Sequence, residues 1–131
     1  MEFDINTNEG KYDLSASVGL VGEDIVVAIW GGERPHIGAV AAAQPRPSLA
    51  DPNVISASAS VICFLGHKDD NLAKKTAETL TAAFNANVVV TVGIHWDDLS
   101  QDDVRQINKN SEILVDLVLK KIRSELVKET K

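Results

Sequence analysis

Four runs with the periodicity of β-strands precede the first run with the periodicity of a helix. In residues 12–20 the apolar side chains occupy every second position, which is typical of a strand buried on one face. Residues 25–30, 37–43 and 55–65 are short and mostly apolar, which also favours strands. Residues 21–24 predict the turn of a hairpin between the first two runs. In such a chain, most strands of the sheet precede in sequence the helices that cover it.

The second half of the chain alternates helix, strand and helix. Residues 70–84 predict a helix that Asp69 or Asp70 can cap, because apolar side chains recur at helical spacing: Ala73, Ala77, Leu80 and Phe84. Residues 88–94 are rich in valine and predict a central strand. Residues 100–103 resemble a capping box and predict the start of a second helix, which residues 108–111 are expected to bend or divide.

The order β-β-β-β-α-β-α predicts an α/β (α+β) two-layer sandwich. We expect a mostly antiparallel sheet of about five strands with the helices on one face. The 131 residues suit a single domain, 1–131, with a loose N-terminus at 1–10 and a charged C-terminal end at 123–131. Residues 44–53 contain three prolines and predict irregular structure.

The charge distribution argues against two classes of partner. Residues 120–131 hold five basic and two acidic side chains, so the formal net charge of −6 becomes −9 without that segment. An acidic body is a poor match for nucleic acid or for anionic membranes. We expect a cytoplasmic protein without a membrane span. Cys63 lies in an apolar run, which favours a buried position.

All three histidines follow or precede strand-like runs, and each has a glycine within two residues. His36 lies in the loop 31–38, His67 follows Gly66, and His95 follows Gly93. Because ligands often bind at the ends of sheet strands, the three histidines predict a site at one edge of the sheet. The strand order, and with it their convergence, is not readable from the sequence.

In the loop 31–38, Arg34 and His36 are candidate binding residues. A guanidinium can hold a phosphate or carboxylate through two donors, and a histidine can donate to an anion near neutral pH. A tight turn with a solvated charge pair is an equally good interpretation of the same residues.

The other two histidines have similar alternatives. His67 and Lys68 precede a helix N-terminus, which favours anions, but the following aspartates oppose one. His95 is followed by Trp96, which can stack on a planar ring or simply cover the edge of the core.

Two further candidates lie in and beyond the proline-rich segment. Arg46 stands between Pro45 and Pro47, so a stiff backbone would present its guanidinium to a phosphate or a partner protein. Ser58 belongs to a run of alternating small side chains that leaves room for a flat ligand or for close packing. The histidines lack the local spacing of a metal site, and no residue has the setting of an exposed nucleophile.

In order along the chain, four segments resemble those of the LpdD-like proteins, the accessory D proteins of gallate and related phenolic-acid decarboxylases. They are residues 31–38, 56–59, 66–70 and 93–97. The resemblance extends from about Tyr12 to about Leu114. It implies a fold similar to that of proteasome-assembly-chaperone-like proteins.

The resemblance also implies a function. The protein would be a non-catalytic chaperone that binds prenylated FMN, or FMN, and delivers it to a UbiD-type decarboxylase. A flavin prenyltransferase would be a second partner, and a homo-oligomer, such as a dimer, is expected. The candidate cofactor-binding residues are Arg34, His36, Arg46, Ser58, His67, Lys68, His95 and Trp96.

Two alternatives remain open on the sequence. One is an assembly or interaction module that forms a homodimer through an edge strand and binds no small ligand. The other is a small hydrolase-type enzyme that uses the strand-end histidines as acid/base groups or metal ligands.

Overall fold

A computed structural model of the chain describes residues 1–64 and 69–129. The elements in chain order are β1 (Glu2–Asn6), β2 (Leu14–Val21), β3 (Asp24–Gly32), β4 (Ala39–Pro47), β5 (Ile55–Cys63), α1 (Asp70–Phe84), β6 (Val88–His95) and α2 (Gln101–Glu129). The strands form a single six-stranded sheet in the order β1-β2-β3-β6-β4-β5. Only the β3–β6 pair is parallel among these neighbours. The mostly antiparallel α+β fold is confirmed, with six strands rather than about five.

The sixth strand comes from the N-terminus, so the prediction of a loose segment at residues 1–10 is wrong. β1 pairs with β2, and its Phe3 and Ile5 lie opposite Val18 and Ala16 on the core side. The acidic and polar residues between them hide this alternation in the sequence. A five-residue strand of this kind is stabilised by its neighbour rather than by its own propensity.

The prediction of irregular structure at residues 44–53 is wrong for its first part, because β4 continues to Pro47. The backbone N–H of Ser48 donates to the carbonyl of Val54 at 2.7 Å, which fixes the alternation of hydrogen-bonded pairs along β4 and β5. Pro45 and Pro47 then fall where the backbone nitrogen faces away from β5. Pairing with β6 ends at Ala43, so these prolines remove no ladder bond.

The core lies between one face of the sheet and the two helices. Alternate strand residues fill it, including Leu14, Val27, Ala41 and Val90, and α2 adds Leu114 from the other layer. No helix of the described residues packs on the opposite face, which we call the open face. It is formed by small or β-branched side chains, among them Ser17, Val26, Ala28, Ala42, Ser58, Ser60 and Val89.

The two helices begin differently. Asp69 occupies the N-cap position of α1, as predicted, but no side-chain hydrogen bond caps this helix. Before α2, Ser100 Oγ accepts from the N–H of Asp103 at 3.0 Å, and the Asp103 carboxylate accepts from the N–H of Ser100 at 3.0 Å. This reciprocal pair confirms the predicted capping box.

We expect Ser100→Ala to lower the free energy of unfolding by about 1 kcal/mol, because the backbone N–H of Asp103 loses its acceptor, the Ser100 hydroxyl. Urea denaturation followed by circular dichroism measures the change. Ser124→Ala, an exposed serine within the same helix, is the control and should stay within about 0.5 kcal/mol. Equal effects in both variants would contradict a stabilising cap.

The second helix is continuous through residues 108–111, so of the two expectations there, a bend or a division, the division is wrong. Asn110 is fully buried there, and its Nδ2 donates to the carbonyl of Tyr12 at 2.8 Å. Its Oδ1 accepts from Gln106 Nε2 at 2.9 Å. The polar side chain that suggested a break therefore fastens α2 to the segment before β2.

Candidate functional site

The parallel pairing of β3 with β6 brings two of the predicted segments together. Gly32 lies opposite His95 at the carboxyl ends of the two strands. β4 runs in the opposite direction to β6, so the loop before it, with Arg34 and His36, starts from the same place. We call the region formed by residues 31–38, 93–98 and Asp69 the strand-end edge.

Two glycines let the backbone of the loop lie directly on β6. A Cβ on Gly93 would meet the His36 carbonyl oxygen at 1.5 Å, and one on Gly32 would meet that of His95 at 2.0 Å. The N–H of Glu33 donates to the carbonyl of His95 at 2.8 Å, and that of Gly38 donates to Val92 at 2.8 Å. The loop is therefore held to the sheet by backbone contacts at both of its ends.

Asp97 joins Arg34 and His95. One of its carboxylate oxygens lies 2.9 Å from His95 Nε2, and the other lies 3.2 Å from an Arg34 guanidinium nitrogen. The hydrogen bond from His95, and then the charge of Arg34, hold the pKa of the Asp97 carboxyl below its usual range. The Arg34 side chain is 69% exposed, so this ion pair lies at the surface and adds little to stability.

The lowered pKa of Asp97 predicts a pH dependence. The folded pKa is below the unfolded value of 3.8, so the stabilisation is present above 3.8 and is lost as the pH falls through the folded pKa. In an NMR titration of the Asp97 carboxyl carbon, we expect a midpoint below 3.8 that rises in His95→Ala and rises less in Arg34→Ala. A midpoint that neither substitution moves would contradict the bridge.

His36 is oriented by its own loop. Its Nδ1 lies 2.7 Å from the carbonyl oxygen of Arg34, and because a carbonyl only accepts, Nδ1 carries the proton. Nε2 faces the Asp69 carboxylate at 3.7 Å. Asp69 thus directs its side chain towards a histidine, which accounts for the missing side-chain cap of α1.

Trp96 lies on the core side of the strand-end edge. Its ring meets that of Tyr12 edge-on, with centroids 5.1 Å apart, and it also packs against the hydrophobic core. The ring lies close to Gly31, near the carboxyl end of β3, and so covers the core at that end of the sheet. These contacts support the interpretation of a tryptophan that covers the core edge, and a stacking role stays a prediction.

Arg46 and Ser58 lie away from the strand-end edge, at the other end of β4 and β5. Arg46 Nε donates to Ser58 Oγ at 2.8 Å, and a second guanidinium nitrogen donates to the Pro47 carbonyl at 3.1 Å. Ser58 lines an open groove of about 390 Å³ with Ala42, Gln44, Ser60 and Val89. The predicted residues therefore fall into two groups, one at each end of the sheet.

His67 and Lys68 lie outside the described residues. Among the residues of 1–64 and 69–129, the sequence analysis missed the roles of Asp97 and Asp69. Asp97 follows His95 by two residues and Asp69 follows His67 by two residues, so a search for carboxylates next to strand-end histidines would have found them.

Neither of the helices that the structure describes has the length and apolar character needed to cross a bilayer. The described ranges also contain no group of three or more potential metal ligands.

The chain is similar to a known protein family and to solved structures. A family model described as the prenylated flavin chaperone LpdD-like domain matches residues 8–123. A yeast protein in the crystal structure of a chaperone complex for 20S proteasome assembly aligns with 18% identity and a TM-score of 0.47. The alignment covers 100% of this chain and 98% of the yeast chain. No curated protein matches the sequence.

Proposed function

Because the chain belongs to the prenylated flavin chaperone LpdD-like family, we propose that it binds prenylated FMN and delivers it to a UbiD-type decarboxylase in the cytoplasm. The match covers most of the chain and is the observation that carries the proposal. The protein would hold the cofactor without catalysing a reaction. A flavin prenyltransferase is the corresponding source of the cofactor.

A flavin nucleotide needs a cation for its phosphate, and the two candidate arginines, Arg34 and Arg46, differ in how far their charge is already paired. Arg34 is already paired with Asp97, so a phosphate would have to displace or share with a carboxylate. Arg46 forms no ion pair with a described carboxylate, and its two recorded bonds go to neutral oxygens. Arg46 is therefore the better hydrogen-bond donor to a phosphate, and we assign it that role.

The ring system needs a flat surface of suitable size. The floor of the groove beside Ser58 consists mostly of alanine, serine and valine, with Gln44 and Asn87 also lining it, so a planar ring can approach the strands closely. Val89 is 38% exposed, so its contact with a ring would bury apolar surface. The Arg46–Ser58 hydrogen bond holds the guanidinium at the rim of this groove.

An open groove also suits delivery. A ligand on the open face keeps one side of its ring towards solvent, where an acceptor enzyme can engage it before the chaperone releases it. When bound to its acceptor, the prenylated flavin supplies the decarboxylation chemistry. Here Arg46, Ser58 and the surrounding strands only bind and orient it.

We expect Arg46→Ala to weaken the binding of FMN and prenylated FMN by roughly 10- to 100-fold, because a charge-assisted hydrogen bond is lost. Titration followed by the flavin spectrum and by the fluorescence of Trp30 and Trp96 measures it. Riboflavin lacks the phosphate, so its affinity should not change in the variant. Arg34→Ala is the matched control and should have the smaller effect on FMN.

The opposite pattern, with a large loss of FMN affinity in Arg34→Ala and none in Arg46→Ala, would place the phosphate-binding site at the strand-end edge instead. Failure of the wild-type protein to bind either flavin would contradict the proposed function. Delivery has its own readout. Flavin-loaded protein should activate an apo-decarboxylase faster than the same concentration of free cofactor.

A further inference from the structure

The hairpin of β4 and β5 extends beyond the rest of the sheet. Pairing of β4 with β6 ends at Ala43, but its pairing with β5 continues for four more residues, through Pro47. Four residues of strand span about 13 Å. In the part of the chain that the structure describes, β5 alone pairs with this stretch of β4. We call residues 44–58 the arm and residues 47–55 its tip.

Hydrogen bonds within the tip hold its backbone in one conformation. The N–H of Ser48 donates to the carbonyl of Val54 at 2.7 Å, and the N–H of Val54 donates to the carbonyl of Asp51 at 3.0 Å. Ser48 Oγ accepts from the N–H of Ala50 at 3.2 Å. Asp51 Oδ1 accepts from the N–H of Asn53 at 3.0 Å. A surface that is ordered in advance loses little conformational entropy when a partner binds it.

The tip is apolar and exposed. Leu49 is 93% exposed, Val54 is 51% exposed and Ile55 is 41% exposed. Asp51 is the one charged residue of the tip. Burial of these side chains against an apolar surface would be favourable, and a narrow element with apolar side chains at its end fits a concave surface better than a flat one.

Exposed apolar side chains also occur elsewhere on the fold, so exposure alone does not distinguish the tip. Val21 and Val127 stand close to charged neighbours in the sequence. Ile62 and Phe64 lie at the opposite end of β5, where the N–H of Phe64 donates to the loop before β4. The prediction that Cys63, between them, is buried is wrong, because β5 lies at the edge of the sheet. Its Sγ donates to the carbonyl of Phe64 at 3.8 Å.

The tip differs from these positions because the arm also carries the proposed phosphate-binding residue. Arg46 and Ser58 both belong to the arm, and their side chains are joined by a hydrogen bond of 2.8 Å. Gln44 and Ser58 line the groove that we assign to the flavin ring. One stiff element therefore connects the phosphate end of the groove to the apolar tip, and a protein bound to the tip lies beside the flavin.

We propose that the tip docks into an apolar pocket of the flavin-free decarboxylase, at the opening of its cofactor cavity, while the flavin still lies in the groove. This inference rests on the proposed function. Of the proteins in the transfer, the acceptor is the one whose cofactor cavity is empty, and such cavities are concave and mostly apolar. The projecting tip complements a surface of that shape and chemistry.

Direct binding to the flavin-free decarboxylase, measured by isothermal titration calorimetry with flavin-free chaperone, tests the contact. We expect Leu49→Ser to weaken this binding by roughly 10- to 100-fold, because the apolar contact of one side chain is lost. Leu49→Met keeps an apolar side chain of similar size and should retain most of the affinity. Val21→Ser, the same kind of change at an exposed valine of the β2–β3 hairpin, is the matched control and should bind as the wild type does. Equal affinities of Leu49→Ser and Val21→Ser would overturn the proposal.

A transfer experiment separates this inference from the proposed function. Leu49→Ser should bind FMN and prenylated FMN as tightly as the wild type, but the loaded variant should activate the flavin-free decarboxylase no faster than free cofactor does. Undiminished delivery by loaded Leu49→Ser would overturn the docking and leave the proposed function intact. Failure of the wild type to bind either flavin would contradict the proposed function, whereas the calorimetric contact between tip and decarboxylase is measured without flavin.

Other occupants of the tip give different outcomes. If Leu49→Ser bound the decarboxylase normally but lost binding to the flavin prenyltransferase, the tip would belong to the source of the cofactor, and the proposal would be wrong. A lower mass of Leu49→Ser than of the wild type in light scattering, with decarboxylase binding unchanged, would assign the tip to a second copy of this chain and would equally overturn it.

Discussion

Gly93→Ala is expected to destabilise the protein by about 2–4 kcal/mol, because the new methyl group would occupy the space of the loop backbone. It would lie 1.5 Å from the carbonyl oxygen and 2.2 Å from the carbonyl carbon of His36. Backbone atoms cannot move aside as the end of a flexible side chain can. Either the loop leaves β6, or the strands around Gly93 separate.

A second glycine in the same sheet provides the control. At Gly19 the nearest atom to an added Cβ is Cγ of Glu2 at 3.9 Å, an ordinary contact with a flexible side chain. Gly19→Ala should therefore change the free energy of unfolding by less than about 0.5 kcal/mol. Urea unfolding followed by tryptophan fluorescence compares the two. Equal stability of the two variants would mean that the loop does not rest on Gly93.

Asn110→Leu is expected to lower the free energy of unfolding by about 2–3 kcal/mol. Leucine is similar in size, but it cannot donate to the carbonyls of Tyr12 and Lys11, which accept from Asn110 Nδ2 at 2.8 and 3.4 Å. The Tyr12 backbone has a φ of 66°, a conformation that costs energy for a bulky residue and that this hydrogen bond helps to hold. The loss therefore affects both α2 and the start of β2.

Asn108→Leu is the matched control, since the same change is made two residues away on the exposed side of the same helix. We expect its effect to stay within about 0.5 kcal/mol. Thermal unfolding by calorimetry measures both variants. If Asn110→Leu proved as stable as the wild type, the buried amide would contribute nothing beyond its volume.

The parts of the fold that local patterns determine were predictable. Residues 21–24 form the expected hairpin turn, and Ser100 with Asp103 forms the expected capping box. β1 and the end of β4 were not predictable, because neighbouring strands impose the extended conformation on polar or proline-containing segments. The division of α2 expected at residues 108–111 was wrong for a similar reason, since the carbonyl groups that accept from Asn110 lie about a hundred residues away in the sequence.

The candidate site was predictable only in pieces. The sequence indicates that His36 and His95 lie at strand ends, but it does not contain the strand order that brings these ends together. That order depends on β6, which enters between β3 and β4 after both are made. The same order separates Arg46 from His36, and no spacing in the sequence reveals that distance.

The late entry of β6 has a consequence for synthesis on the ribosome. The hairpins β2–β3 and β4–β5 emerge first, and the described sheet joins them only through β6. Until residues 88–95 leave the ribosome, the inner edges of β3 and β4 have no strand beside them, and they are open to mispairing in the nascent chain. Completion of the sheet during translation is therefore a single late event, and slow decoding just before β6 would prolong the most aggregation-prone interval.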